Sequence, residues 1–159
     1  MLLYIVRHGD PNYALDCLTD RGLLQAQAVA KRLAASHIDR IFSSSMGRAR
    51  QTAQPLCELL GKDYEVLDWA RELPPSEMHT EFPDGKRKSI SRVQETTFRQ
   101  NGLDDLSYAD SLTCPGFNTL HLDVSFARLT ENGYPFLERL GYRHENGVFR
   151  IVNPNEERI

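Results

Sequence analysis

Arg7, His8 and Gly9 stand side by side near the start of the chain. A guanidinium offers forked donors to an anion, an imidazole can act as nucleophile or base near neutrality, and glycine lets the backbone come close to a ligand. These are the parts needed to handle a phosphoryl group. The plainer alternative is that Arg7 and His8 close a strand and do nothing more, and three residues do not separate the two. A second set follows in Ser43-Ser44-Ser45-Met46-Gly47-Arg48. With Ser44 or Ser45 as N-cap of the helix that begins there, Arg48 falls in its first turn, where a cation opposes the helix dipole. An anion bound between Arg48 and the helix start would remove that conflict; a solvated surface arginine is the other reading. A third set is Arg71-Glu72-Leu73-Pro74-Pro75. A carboxyl beside a phosphate has its pKa raised by the like charge, which suits Glu72 to protonate a leaving alkoxide; otherwise it is a solvated loop residue.

Each set follows an apolar stretch that can position it. Leu2-Leu3-Tyr4-Ile5-Val6 reads as a buried strand that delivers Arg7, His8 and Gly9 to its C-terminal end, where open α/β sheets bind ligands. Asp10-Pro11-Asn12-Tyr13 is a turn-forming loop suited to fold over a site. Thr19 can cap a helix carrying Leu23, Leu24, Ala26, Val29, Ala30 and Leu33, which breaks near Ser36-His37. Ile38 to Phe42 is a second strand, Arg48 to Leu60 a helix stopped by Gly61, and Tyr64 to Leu67 a third strand. Residues 76–118 lose this pattern and read as an insertion that lines a substrate pocket, with His79, Arg87 and Arg92 as side chains within reach of a substrate or simply solvated. Leu120 to Leu140 is helical, interrupted by Asn132-Gly133-Tyr134-Pro135, which predicts a kink or two consecutive helices. Tyr142 to Val152 reads as a hairpin with an Asn-Gly turn, so His144 is a strand or turn residue rather than a catalyst.

The chain as a whole narrows the choice further. Its 159 residues suit a single domain, and a net charge of -3 with mixed signs argues against nucleic acid as a partner and against a membrane surface. No stretch reads as a signal peptide or a membrane span. Cys17, Cys57 and Cys114 are odd in number and far apart, which suggests free thiols in a reducing, cytoplasmic setting and no zinc spacing.

Arg7-His8-Gly9, the run from Ser43 through Arg48 to Gln51-Thr52-Ala53, and Arg71-Glu72-Leu73 occur in an order that resembles the histidine phosphatases, the superfamily of cofactor-dependent phosphoglycerate mutases and broad phosphomonoesterases. The resemblance covers roughly the first half of the chain. It implies a three-layer α/β/α fold with a mostly parallel sheet, a small phosphorylated substrate, and no metal or other cofactor. It makes His8 the nucleophile that becomes a phosphohistidine. Arg7 and Arg48 then clamp the phosphoryl oxygens, Gly9 helps to cradle them through its backbone, and Glu72 is the general acid and then the base. Phosphomonoester hydrolysis leads. A mutase-type phosphotransfer and a non-catalytic module that binds phosphate or phosphoproteins are the alternatives.

One departure qualifies the match. The family carries a second catalytic histidine, followed by glycine, at the end of a later apolar strand. Here glycine follows histidine at His8, whereas His37, His79, His121 and His144 precede Ile38, Thr80, Leu122 and Glu145. Pro154 to Ile159 looks like a turn leading into such a strand. The expectation is a histidine phosphatase domain over 1–159 that is truncated and impaired in turnover. A sheet deprived of a strand also predicts a homodimer or poor solubility.

Overall fold

The computed structural model describes residues 1–73, 79–81, 87–89, 99, 107, 109–110, 122–146, 148–152 and 157–159. The chain divides into two compact units, Met1–Arg71 with Asn132–Ile159, and Glu72–Glu131.

The first unit begins with a short antiparallel ladder, β1 (Pro11–Asn12) against β2 (Cys17–Leu18), and continues into α1 (Asp20–Ala34), β3 (Ile41–Ser44), α2 (Gly47–Leu60) and β4 (Tyr64–Leu67). Thr19 caps α1 by accepting from the Gly22 N–H, as expected of a Thr before an apolar helical run. Gly22, Ala26 and Ala30 recur every four residues and are buried, a stripe of small residues on one helix face. Ala30 packs with Ile38 and Leu56 as a buried cluster, flanked by Tyr4, Leu33, Ala34, Ile41 and Leu60. α2 ends where Gly61 takes a left-handed φ of 62° and its N–H returns to the Cys57 carbonyl.

Where a buried first strand is expected, residues 2–6 form, among the described residues, one isolated parallel bridge, Leu2 with Arg158, and Ile5 is 90% exposed. The reason lies in what flanks them. Residues 157–159 bond to Leu2 and Tyr4 on one side and, through the Arg158 carbonyl, to the Asp39 N–H on the other. Leu3, Ile5 and Val6 all remain exposed. The second strand likewise starts at Ile41 rather than Ile38, which is instead a buried core residue.

The sheet is also not mostly parallel. Of the four two-stranded ladders among the described residues, β3–β4 is parallel, in register Ile41 with Tyr64 through Ser44 with Leu67, and the other three are antiparallel. Two of these are local ribbons joined by short turns, for which antiparallel pairing is the geometry available.

The C-terminal part of the first unit behaves as its sequence suggests. A π-helical turn, Leu129–Gly133, separates α3 (Leu122–Arg128), which lies in the second unit, from α4 (Tyr134–Arg139). Pro135 in the first turn of α4 starts that helix. Gly133 lies under Trp69, where an added Cβ would be 3.3 Å from the ring. Phe136 on α4 meets Phe42 edge-on at 4.9 Å and Trp69 at 5.6 Å, and Arg139 binds Glu65 of β4 through both guanidinium nitrogens at 2.9 and 2.7 Å. The last two strands, here β7 (Tyr142–Glu145) and β8 (Val148–Ile151), pair as a hairpin, with Asn146 at a φ of 50°. His144 stacks with Tyr134 and Phe149 at 4.5 and 4.9 Å, a packing role. In the second unit, β5 (His79–Glu81) pairs antiparallel with β6 (Arg87–Ser89), so His79 and Arg87 lie on one ribbon. Arg92 and most of 76–118 lie outside the described residues.

Leu56→Ala leaves a cavity in the buried cluster and should cost about 2–5 kcal/mol in urea unfolding. Leu59→Ala, at a position 55% exposed on the same helix, should change stability by less than about 1 kcal/mol.

Candidate functional site

The backbone of Gly9 and Asp10, just after His8, is stitched between α1 and α2. On the α1 side, Thr19 donates its hydroxyl to Asp10 Oδ2 at 2.7 Å, the Thr19 N–H donates to the Asp10 carbonyl at 3.0 Å, and Gln25 Oε1 accepts from the Asp10 N–H at 2.7 Å. The approach is so close that a Cβ on Gly22 would lie 2.2 Å from the Asp10 carbonyl oxygen, and one on Gly9 would lie 2.6 Å from that of Gly22. On the α2 side, the Gly9 N–H donates to Thr52 Oγ1 at 3.1 Å, and that hydroxyl donates to the Arg48 carbonyl at 2.8 Å. One threonine thus joins the histidine loop to the first turn of the helix that carries Arg48.

His8 Nδ1 lies 2.8 Å from the Gly9 carbonyl oxygen. A carbonyl only accepts, so in this contact Nδ1 carries a proton and the Nε2 edge is turned away from the Gly9 carbonyl. Arg7, beside it, is exposed.

The loop from Asp10 to Leu18 is a strap closed by the β1–β2 ladder, with the Asn12 side chain accepting from the Ala14 and Leu15 N–H groups at its tip. Its Tyr13 ring meets the His8 ring edge-on at 6.1 Å, and the Arg48 guanidinium carbon lies 5.2 Å from the same ring centre. His8 and Arg48 therefore converge on one aromatic ring. The strap is fastened to α2 by Gln51 Oε1, which accepts from the Leu18 N–H at 2.6 Å.

Neither Ser44 nor Ser45 caps α2. The N-cap is Met46, and Ser44 Oγ accepts weakly from the Met46 N–H at 3.4 Å while Ser45 donates to Asp68 at 2.6 Å. Between Arg48 and the helix start lies a carboxylate of the chain itself. Asp16 Oδ2 accepts from the Gly47 N–H and Asp16 Oδ1 from Arg48 Nη1, each at 2.6 Å. Burial acts to raise the Asp16 pKa, but the bonds from the Gly47 N–H and from Arg48 outweigh it and hold the carboxyl below its usual range. Arg48 itself is 5% exposed, so the surface reading of this arginine does not hold. Glu72 follows the 3-10 turn Asp68–Ala70 as the first residue of the second unit.

The sequence motifs include Tyr13 and Thr52 without a role for either, and they do not single out Asp16, Gly22 or Gln25. The spacing Thr19-x-x-Gly22-x-x-Gln25 at the start of α1 was a usable signal: positions three apart share a helix face, and all three meet the loop. Asp16 carried no such signal, because its partners are 31 and 32 residues away.

The chain matches the family model of the histidine phosphatase superfamily (branch 1) over residues 3–103. It is 32% identical over 114 residues to the Escherichia fergusonii protein named Probable phosphoglycerate mutase GpmB, covering 65% of this chain and 51% of that protein. A Schizosaccharomyces pombe protein named as a probable phosphatase is 38% identical over 68 residues, 37% of this chain and 32% of that protein. The chain spans about half the length, or less, of the curated relatives it matches. Among solved structures, Entamoeba histolytica phosphoserine phosphatase superposes with a TM-score of 0.50 at 24% identity, over 87% of this chain and 66% of that one, a likeness of α/β fold.

Gly22→Ala forces a methyl group into the Asp10 carbonyl and should lower stability by about 1–3 kcal/mol. Thr52→Val strips the Gly9 N–H of its acceptor and should cost about 1 kcal/mol in the same unfolding assay. Because the Asp16 pKa is depressed by folding, its stabilisation is present above the ordinary carboxylate range and lost as pH falls through the folded-state value. The melting-temperature gap between wild type and Asp16→Asn should therefore shrink on acidification.

Proposed function

We propose that this chain, which belongs to the histidine phosphatase superfamily (branch 1), acts on small phosphorylated substrates as a phosphomonoesterase through a phosphohistidine on His8. The observation that carries this reading is the contact between His8 Nδ1 and the Gly9 carbonyl, which leaves Nε2 as the nucleophilic edge. Nε2 attacks phosphorus, the bond to the ester oxygen breaks, and that oxygen takes its proton from Glu72. Water then attacks the phosphohistidine as Glu72 takes a proton from it, the P–N bond breaks, and phosphate leaves with neutral His8 restored. Arg7 and Arg48 stabilise charge on the non-bridging oxygens, and the backbone at Gly9 closes the cradle. Turnover in these 159 residues is low in this reading, because no position matches the second histidine that the family resemblance calls for.

A second reading, phosphoglycerate mutase-type transfer, is favoured by the name of the Escherichia fergusonii relative. Phosphate release from a panel of phosphomonoesters tests hydrolysis, and movement of the phosphoryl group between two hydroxyls of a glycerate phosphate tests the mutase. His8→Ala should abolish both phosphate release and the acid-labile phosphoenzyme seen by intact mass. Glu72→Gln should slow alkyl phosphates more than activated aryl phosphates, because a poor leaving group depends most on the acid. Equal losses on the two classes would remove Glu72 from that role, and binding of phosphate with no turnover on any ester would leave a binding module.

The exposure of Leu2, Leu3, Ile5 and Val6 supports the expected homodimer. Sedimentation velocity should show association as concentration rises, and a monomer throughout would remove the dimer.

A further inference from the structure

We propose that Asp16 is a positioning residue for the reaction: it sets where the Arg48 guanidinium stands relative to His8. The proposal rests on the phosphatase reading, in which Arg48 meets the phosphoryl group. Four observations on the strap carry it. The two Asp16 oxygens are divided between the Arg48 side chain and the first N–H of the helix that bears it, each at 2.6 Å, so the guanidinium is tied to its own helix start through a third group. The Asp16 backbone is held against that helix so closely that a Cβ at Gly47 would lie 2.2 Å from the Asp16 carbonyl oxygen. Asp16 also stands at a φ of 47°, a conformation that a non-glycine residue keeps only where its surroundings hold it. Finally, Tyr13, three residues back on the strap, places its ring against both Arg48 and His8.

A buried arginine has several rotamers of similar cost, and a flexible side chain loses affinity for its ligand when it must be ordered on binding. A short charged bond from a carboxylate that is itself clamped removes that freedom beforehand. The carboxylate also offsets the cost of a buried cation at a helix N-terminus, which allows Arg48 to be there before any substrate arrives. The opposite possibility is that Asp16 competes with phosphate for Arg48, and it predicts the opposite sign on removal of the carboxylate.

The test uses the full chain with p-nitrophenyl phosphate as substrate and inorganic phosphate as ligand, the latter followed by calorimetry. Asp16→Asn keeps an acceptor for the Gly47 N–H and loses the charge that holds Arg48, so it separates helix capping from positioning. Asp16→Asn and Asp16→Ala should both weaken phosphate binding and lower kcat/KM, by up to about a hundredfold, with Asp16→Asn melting closer to wild type than Asp16→Ala. In an Arg48→Ala background, Asp16→Ala should change phosphate affinity no further, whereas a residue that only supports the fold would still weaken it. Unchanged or tighter phosphate binding in Asp16→Asn would overturn the proposal. If the wild type binds phosphate but turns over no ester, the phosphatase reading falls and the calorimetric arm still decides the role of Asp16. If the wild type does neither, both fall.

Discussion

The constraint on which the rest of the first unit depends is the steric limit around Gly9 and Gly22. The backbone after His8 passes so close to the first turn of α1 that a methyl group on either glycine would fall within 2.6 Å of a carbonyl oxygen. Close approach puts the Asp10 N–H and carbonyl within reach of Gln25 and Thr19, and it leaves the Gly9 N–H facing Thr52 on the other helix. Each of these bonds satisfies a backbone group that would otherwise be costly to leave unpaired in a partly buried loop. The histidine is thereby carried next to two successive residues, Gly9 and Asp10, that are bonded to the two flanking helices, a firmer mounting than a strand end alone provides.

Electrostatics explains the second half of the arrangement. A helix whose first turn holds a cation and no acid should be unfavourable, and α2 has Arg48 in that turn and no acidic residue there. Asp16 supplies the missing negative charge from the strap, one oxygen to the helix dipole and one to the guanidinium. The same conflict is legible in the residues between Ser44 and Arg48, where a bound anion and a solvated arginine were the two readings. The folded chain itself supplies one anion there, the Asp16 carboxylate.

The apolar start shows how far composition can mislead about burial. Five apolar residues in succession satisfy the pattern of an interior strand. Strand pairing depends on what lies alongside, and here residues 157–159 stand between Leu2 and Tyr4 on one side and Asp39 on the other. Ile5 is consequently among the most exposed apolar side chains of the first unit, while Ile38, which looked like strand, is part of the core.

Local signals were sufficient for both main helices, because a capping threonine, a stripe of small residues and a left-handed glycine act within a few residues of one another. They were sufficient for the parallel β4 segment and the final hairpin for the same reason, and Asn132 to Pro135 marked the break that the structure realises as a π-turn. The family was legible as well, since Arg7-His8-Gly9 and the run from Ser43 to Ala53 are contiguous motifs. What the sequence could not determine was which distant groups close on those motifs. The acceptor for the Gly47 N–H, the partner of Arg48, the ring shared by His8 and Arg48, and the threonine under Gly9 join positions 31 to 43 residues apart, or belong to a strap held against α2. Those contacts exist because packing Gly22, Ala26 and Ala30 into the interior brings the loop and α2 within bonding distance, and only the folded chain does that.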